Sequence, residues 1–350
     1  MKLKIDEVRA TFAMVDAVPA MPAVESSQFV RMSHQGKVLM LSLSGMLWAQ
    51  STLKTGDDGK WQFFADRRVL KAFLATAKGT EVDFACKGSQ LVLKAGQTLD
   101  IPSHADVSGY ERWTPAKTFT LPDEWLAALQ TLVCYCPNIP GMEHVDAVSF
   151  EKGWGAVSTD TMVMAAVLDA KAGWTLLMPS GVAGLIKQFP GAKLCADKTG
   201  FGVVTVAGWV YQPMNDGLKK FPMAKIKQTV NDAAKIKPVA TMLVSDLSAA
   251  LTDAVAFLLD ANESAQVTVG KDALLVTVDV HGGKFQRTVK ASGGGTQAAV
   301  RWPVKQLQAW LAYLSGVQTD ATVGYAKEPG MNILLCQLAE RQTVLIFADS

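Results

Sequence analysis

Residues 66–96, DRRVLKAFLATAKGTEVDFACKGSQLVLKAG, decide the fold. Their first half places Val69, Phe73 and Ala77 on one side of a 3.6-residue period, and their second half alternates like a hairpin around a Lys-Gly turn. The same sequence of events occurs twice more. Residues 175–189, TLLMPSGVAGLIKQF, align Val182, Leu185, Ile186 and Phe189 and lead into KLCADKTGFGVVTVAG at 193–208. Residues 299–316, AVRWPVKQLQAWLAYLSG, align Val304, Leu307, Leu311 and Leu314 and lead into TVGYAKEPGMNILLCQ at 322–337. Val69, Val182 and Val304 hold comparable places, roughly one domain length apart.

Upstream of each lies another amphipathic helix. The first carries Val8, Phe12 and Val15 and stops at Pro19; the second follows Pro122 and Asp123 with Leu126, Leu129, Val133 and Cys136; the third starts at Ser245 with Leu247, Leu251, Ala254 and Leu258. A short extended segment precedes each: Leu3–Ile5, Thr118–Leu121 and Thr241–Val244. The plan per unit is strand, helix, several strands, then strand, helix, several strands. That order predicts an α+β protein of three tandem copies, 1–116, 117–234 and 235–350, joined at Thr114–Lys117 and Asp232–Lys237.

Composition narrows the function classes. The chain has 350 residues, 49% hydrophobic and 19% charged, which is globular rather than disordered. No apolar run approaches the roughly 20 residues that span a bilayer, and MKLKIDEVRA lacks the features of a signal peptide, so a cytoplasmic protein is expected. The net charge of +2 leaves any nucleic-acid contact to local placement of charge. Five cysteines, Cys86, Cys134, Cys136, Cys195 and Cys336, are scattered and odd in number, which suits a reducing compartment.

The sequence contains no phosphate-binding, dinucleotide-binding, zinc-protease or nucleophile-elbow motif. Gly282-Gly283-Lys284 reads as a hairpin turn, and Cys134 and Cys136 are spaced as helix-end thiols rather than metal ligands. His34, His104, His144 and His281 fall in separate segments and read as surface or loop residues. Ser51-x-x-Lys54 and Lys198-Thr199-Gly200 imitate pieces of penicillin-recognising serine enzymes, but Ser51 follows a strand pattern and Lys198-Thr199-Gly200 a turn. No metal, no cofactor and no enzymatic activity are expected. A binding or scaffolding role is.

Residues 150–167, FEKGWGAVSTDTMVMAAV, are similar to the run of bacterial sliding clamps in which a strand enters an Ala-Thr-Asp-Gly-His-Arg-Leu-Ala stretch. Residues 176–189 resemble that family's second helix, and 201–226, FGVVTVAGWVYQPMNDGLKKFPMAKI, its strand–turn–strand run ending in Gly-x-Phe-Pro. The link between the first two domains is matched by IPSHADVSGYERWTPAKTFTLPDEWLAAL at 101–129, and the family's terminal strand by TVLIFADS at 343–350. The resemblance to the DNA polymerase III beta subunit family spans nearly the whole chain.

It implies three tandem DNA-clamp domains and a head-to-tail homodimeric ring, with helices lining the hole and sheets outside. Such a ring encircles duplex DNA without sequence preference and tethers a DNA polymerase; a clamp loader places it, and both partners use short peptide motifs. Carried over by position, the partner-peptide pocket is Val145, Thr159, Met164, Pro222, Val344 and Ile346. Those residues can also be read as ordinary strand and loop residues over a core. Arg67, Arg68, Lys71, Lys187 and Lys305 are the DNA-facing set, or else a solvated helix face. Leu258 and Leu259, against Leu99 and Ile101, form the ring interface, or are buried within their own domains.

Departures accompany the match. The family's Gly-His-Arg is Thr161, Met162 and Val163 here, and its basic residues before the second helix of domain two are Pro179 and Ser180. No aromatic ring-interface residue is evident in AGQTLDIPS at 95–103, and family clamps are more acidic outside than a +2 balance suggests. A pocket of altered peptide preference is expected. The alternative is a clamp-like protein-binding scaffold that does not encircle DNA.

Overall fold

A strand runs into a helix at the start of each third of the chain. The structure, a computed structural model, describes every residue except 105–106, 134–135, 137–145, 152–153, 159–161, 168–174, 215–219, 234, 236–237, 259–263, 271, 281–282, 294–297, 316–319, 326–331, 338–341 and 348–350. The first third runs β1 (Lys2–Lys4), α1 (Ile5–Asp16), the one-turn α2 (Glu25–Gln28), β2 (Phe29–Ser44), β3 (Trp48–Asp66), α3 (Arg67–Thr76), β4 (Glu81–Lys87), β5 (Gln90–Lys94) and β6 (Thr98–Pro102). The second runs β7 (Thr118–Phe119), α4 (Asp123–Leu132), β8 (Ala147–Glu151), β9 (Trp154–Ser158), β10 (Met162–Val167), β11 (Thr175–Pro179), α5 (Ser180–Leu185), β12 (Lys193–Ala196), β13 (Gly200–Val204), β14 (Gly208–Pro213) and α6 (Met223–Ala233). The third runs β15 (Pro238–Leu243), α7 (Val244–Val255), β16 (Ser264–Val269), β17 (Ala273–Val280), β18 (Gly283–Lys290), β19 (Ala298–Pro303), α8 (Val304–Ser315), β20 (Asp320–Tyr325), β21 (Asn332–Gln337) and β22 (Gln342–Phe347).

The second and third segments share one order, strand, helix, four strands, helix, three strands, to which the second adds α6. The first replaces the four strands with two long ones of 16 and 19 residues. Every strand pairing is antiparallel, as hairpin-built α+β units require.

The chain forms two compact units, Met1–Thr120 with Gly184–Met214, and Leu121–Ala183 with Asn215–Ser350. These differ from the thirds because sheets run across the joins. In the first unit a six-stranded sheet, β2-β3-β14-β13-β12-β7, sews the first segment to the second through β3–β14, from Trp48↔Tyr211 to Ser51↔Gly208. In the second an eight-stranded sheet, β11-β8-β9-β10-β22-β21-β20-β15, joins the second segment to the third through β10–β22, from Met162↔Phe347 to Ala166↔Thr343. Each unit also has a four-stranded sheet, β1-β4-β5-β6 in the first and β18-β17-β16-β19 in the second.

The helices bury the stripes that the 3.6-residue period predicts, with two corrections of phase. On α3 the buried residues are Leu70, Phe73 and Leu74, while Val69 is exposed; the Asp66 carboxylate caps the helix at Arg68 N and Val69 N, and Val69 lies in that first turn. On α4 the core is Trp125, Ala128, Leu129 and Leu132, with Leu126 only half-buried. On α7, Leu247, Leu251 and Ala254 are buried as expected. No helix among the described residues is long and apolar enough to cross a membrane.

Candidate nucleic-acid interface, partner cleft and ring edges

In the first unit, α1 and α3 exchange caps. Arg9 on α1 reaches the last carbonyls of α3, with Nε 2.9 Å from Leu74 O and Nη2 3.0 Å from Ala77 O. In return Arg67 holds the end of α1, with Nε 2.6 Å from Asp16 Oδ1, Nη2 2.5 Å from Asp16 O and Nη1 3.3 Å from Ser27 O. A guanidinium there satisfies carbonyls that have no intrahelical donor and meets the negative end of the helix dipole. Arg67 is only 11% exposed. It leaves the DNA-facing set and becomes a structural residue.

Arg68 and Lys71 keep exposed heads. Arg68 is 90% exposed and only 3.4 Å from Asp66 Oδ2, while Lys71, 64% exposed, has Nζ 2.8 Å from Asp16 Oδ2. Exposed Asp6 and Glu7 in the first turn of α1 oppose them in sign. Lys187 lies in the 3-10 turn Ile186–Gln188 after α5, and Lys305 is the second residue of α8. The α1–α3 surface thus carries charges of both signs.

Of the partner-cleft residues, Val145 and Thr159 lie outside the described residues. Met164 is on β10 and Val344 and Ile346 on the adjacent β22, so the fold brings three of the set to one seam. Their register divides them: Met164 is opposite Leu345, whereas Val344 and Ile346 are opposite Ala165 and Val163. Pro222 precedes α6, where its carbonyl accepts from Ile226 N at 3.0 Å. That helix packs on β9 and β10 and is tied down by Lys227 Nζ to Glu151 Oε1 at 3.0 Å. The sequence reading missed α6; among its described side chains the buried apolar residue is Ile226, a faint signal.

Two of the ring-interface candidates, Leu99 and Ile101, lie on the edge strand β6. On β6, Leu99 is half-buried, but Ile101 is 2% exposed and paired with Leu91, which makes it core. In the second unit Leu258 follows α7 and is half-buried, while Leu259 lies outside the described residues. The feature overlooked in sequence is Phe257. It is 45% exposed, stacks on Phe285 of β18 at 4.5 Å and 21°, and stands beside exposed Val255; an Arg287–Asp253 ion pair also holds β18 to α7. Phe257 and Phe285 are 28 residues apart in the chain, so no local pattern announces the pair.

The other candidates resolve structurally. Ser51 Oγ is buried and donates to Thr11 O at 2.8 Å. The Lys198-Thr199-Gly200 turn wraps Asp197, whose carboxylate accepts from Thr199 N, Thr199 Oγ1, Gly200 N and, at 2.9 Å, Trp113 Nε1. Burial pushes the Asp197 carboxyl up, but these donors outweigh it and leave it below its ordinary value. Trp113 also stacks on Tyr211 at 4.4 Å, anchoring the segment before β7 to the six-stranded sheet. His34 is not a surface residue: it is buried against β3. His144, His281 and Cys134 lie outside the described residues. Among the described residues no group of three or more His, Cys, Asp or Glu side chains could hold a metal ion.

Over its whole length the chain superposes on solved clamps. A DNA polymerase III beta subunit from Thermotoga maritima matches with a TM-score of 0.81, covering 100% of this chain and 98% of that one at 11% identity. The fold is that of the bacterial sliding clamp. A clamp from Bartonella birtlesii, solved with griselimycin bound, gives 0.81 at 10% identity over 100% and 98% of the two chains, and one from Pseudomonas aeruginosa 0.79 at 10% over 100% and 99%. No family model matches the sequence, and no curated protein matches it. The sliding-clamp fold persists here with about one position in ten unchanged, because what it needs is periodicity: alternating apolar strands and one apolar stripe per helix.

Proposed function

We propose that this protein is a DNA sliding clamp, in which two copies close head to tail around duplex DNA and tether a DNA polymerase. The proposal takes the three segments 1–116, 117–234 and 235–350 as clamp domains and assigns no catalytic step to the chain. Tethering raises the polymerase's effective concentration at the primer end, so processivity is an avidity effect. The observation that carries the proposal is the full-length match to clamp folds, each covered to 98% or 99%.

Sheet edges support the closure. Each four-stranded sheet ends in a strand that pairs on one side only among the described residues, β6 in the first unit and β18 in the second. Pairing β6 with β18 of a second copy would make a sheet of eight strands, the number that the second unit already builds across its own join. Exposed edges favour such addition. Leu99 from one side and Phe257 with Phe285 from the other would supply the apolar anchors. The partner cleft belongs at the β10–β22 seam with Pro222, taking short peptides of the polymerase and the clamp loader through one or two apolar anchors.

Light scattering on the eluting protein tests the closure. A dimer, twice the 37.5 kDa chain, supports it, and a monomer at all accessible concentrations contradicts it. A second reading, a clamp-like scaffold that binds proteins without encircling DNA, is favoured by one observation: Arg9 and Arg67 spend their charge on helix ends.

A further inference from the structure

Between β6 and β7 the chain runs through residues 103–117, and those described take no helix or strand. A connection of that length without structure of its own is uncommon inside a compact unit. This one is pinned by side chains. Its earlier part lies on the first segment: Tyr110 Oη donates to Phe29 O at 2.5 Å, its ring stacks on Phe64 at 5.8 Å, and Glu111 N donates to Ser44 Oγ at 3.0 Å. Two residues on, the half-buried Trp113 crosses to strands of the second segment.

What Trp113 meets there is shaped for an indole. Its ring stacks on Tyr211 at 4.4 Å and 24°, and Trp209 stands edge-on to it at 5.4 Å and 79°. The floor is Gly202 of β13: a Cβ at that position would come 2.5 Å from the Trp113 ring, so the glycine leaves the room that the indole fills. The indole N–H donates to Asp197 Oδ2 at 2.9 Å. The other oxygen of that carboxylate is held by its own turn, with Oδ1 accepting from Thr199 N at 2.7 Å, Thr199 Oγ1 at 2.6 Å and Gly200 N at 2.9 Å, which fixes Oδ2 toward the ring. Tyr211, 1% exposed, shares a 2.7 Å hydrogen bond with Thr199 Oγ1 and pairs with Gly202 across β13–β14. These bonds lie within β12–β14 and their turn, and none of them uses the connection. A preorganised set of walls and one aromatic carried in on an irregular segment are the parts of a receptor and its ligand.

We propose that β12–β14 carry an indole-binding site whose occupant is the chain's own Trp113, and that this contact is the releasable buckle of the 103–117 strap. The ligand class is a planar bicyclic aromatic with a ring N–H. Stacking on Tyr211 over the bare Gly202 backbone selects the ring, and Asp197 Oδ2 selects the donor. Tethering gives Trp113 a high effective concentration, so free indole does not displace it from the native protein. Release frees the strap and leaves the six-stranded sheet, with its β3–β14 pairing, in place. The proposal is independent of ring closure and DNA.

Trp113→Gly empties the site, and calorimetry on the full-length variant tests it. Indole is expected to bind; benzofuran, of the same shape but without the N–H, is expected to bind at least about tenfold more weakly, and the native protein neither. In parallel, trypsin is expected to cut the variant after Arg112 or Lys117, the exposed basic residues flanking Trp113, at least about tenfold faster than the native chain. Amides of β13 and β14 are expected to keep their native exchange protection. A folded Trp113→Gly that binds no indole, equal binding of benzofuran, or unchanged cleavage overturns the proposal. If that variant does not fold, Trp113→Phe, which keeps a stack and removes the donor, decides: faster cleavage with the sheet protected supports the buckle, and unchanged cleavage overturns it. Loss of β13 and β14 protection in both variants also overturns it, because Trp113 would then be core rather than the occupant of a standing site.

Discussion

The α1–α3 pair of the first unit and the α7–β18 end of the second invert the usual disposition of residues in opposite ways. In the first, arginines serve the fold: Arg67, buried, and Arg9, partly exposed, bond the carbonyls at the ends of each other's helices. In the second, aromatics turn outward: Phe257 stays exposed while stacked on Phe285, beside an exposed Val255. A charged side chain taken out of solvent marks architecture, and an apolar cluster left in solvent marks a surface that awaits something. So of the basic residues at the start of α3, Arg67 is taken up by the fold while Arg68 and Lys71 stay exposed, and Phe257 is an aromatic that the chain leaves uncovered.

Breaking the first half of that contrast has the largest expected effect. Arg67→Ala strands Asp16 and uncaps α1, and should cost about 3 kcal/mol in chemical denaturation, whereas exposed Arg68→Ala should cost under about 0.5 kcal/mol. Equal losses would erase the distinction between structural and exposed arginines. On the other side, Phe257→Ala should change the stability of the isolated chain by about 1 kcal/mol or less, yet weaken self-association at least about tenfold by light scattering or sedimentation. A variant that unfolds instead would make Phe257 a core residue.

Smaller effects sharpen the comparison. Replacing Arg68 and Lys71 together by Ala should lower the salt dependence of binding to linear duplex DNA by about one to two units of log–log slope, and Arg67→Lys should leave that slope unchanged. The smallest effect concerns Asp197. Its folded-state carboxyl is held below its ordinary value, so the stabilisation it gives the β12–β13 turn is present above the ordinary carboxylate range and lost as pH falls through the folded value. Asp197→Asn should remove that acid limb from the exchange of the Thr199 and Gly200 amides. An acid limb unchanged in the variant would assign it to another group.

The repeat was legible because it is local: helices of 3.6-residue period and hairpins with Gly turns announce themselves within about twenty residues. Most of the corrections arise from distance. Arg67 meets Asp16 across 51 residues, and His34 finds Thr55 across 21 and a bulge that no alternation pattern displays. Val69 fits the helical period but sits in a capped first turn, where the stripe faces away from the core. The two-unit division was equally out of reach, because it depends on which sheet edges pair, and β3–β14 and β10–β22 join strands far apart in the chain. Of the proposed partner-cleft residues, position-by-position transfer placed Met164, Val344 and Ile346 on two strands that pair, and the sequence alone did not give their register.

The most direct test of the central claim is retention on DNA of two topologies. The protein would be loaded onto a nicked circle, by its loader or by transient opening, then chased with high salt before and after the circle is cut. A closed clamp stays on the circle in salt that dissolves charge contacts and is lost on linearisation. Equal loss from circle and linear DNA would contradict encirclement and leave the protein-binding scaffold standing.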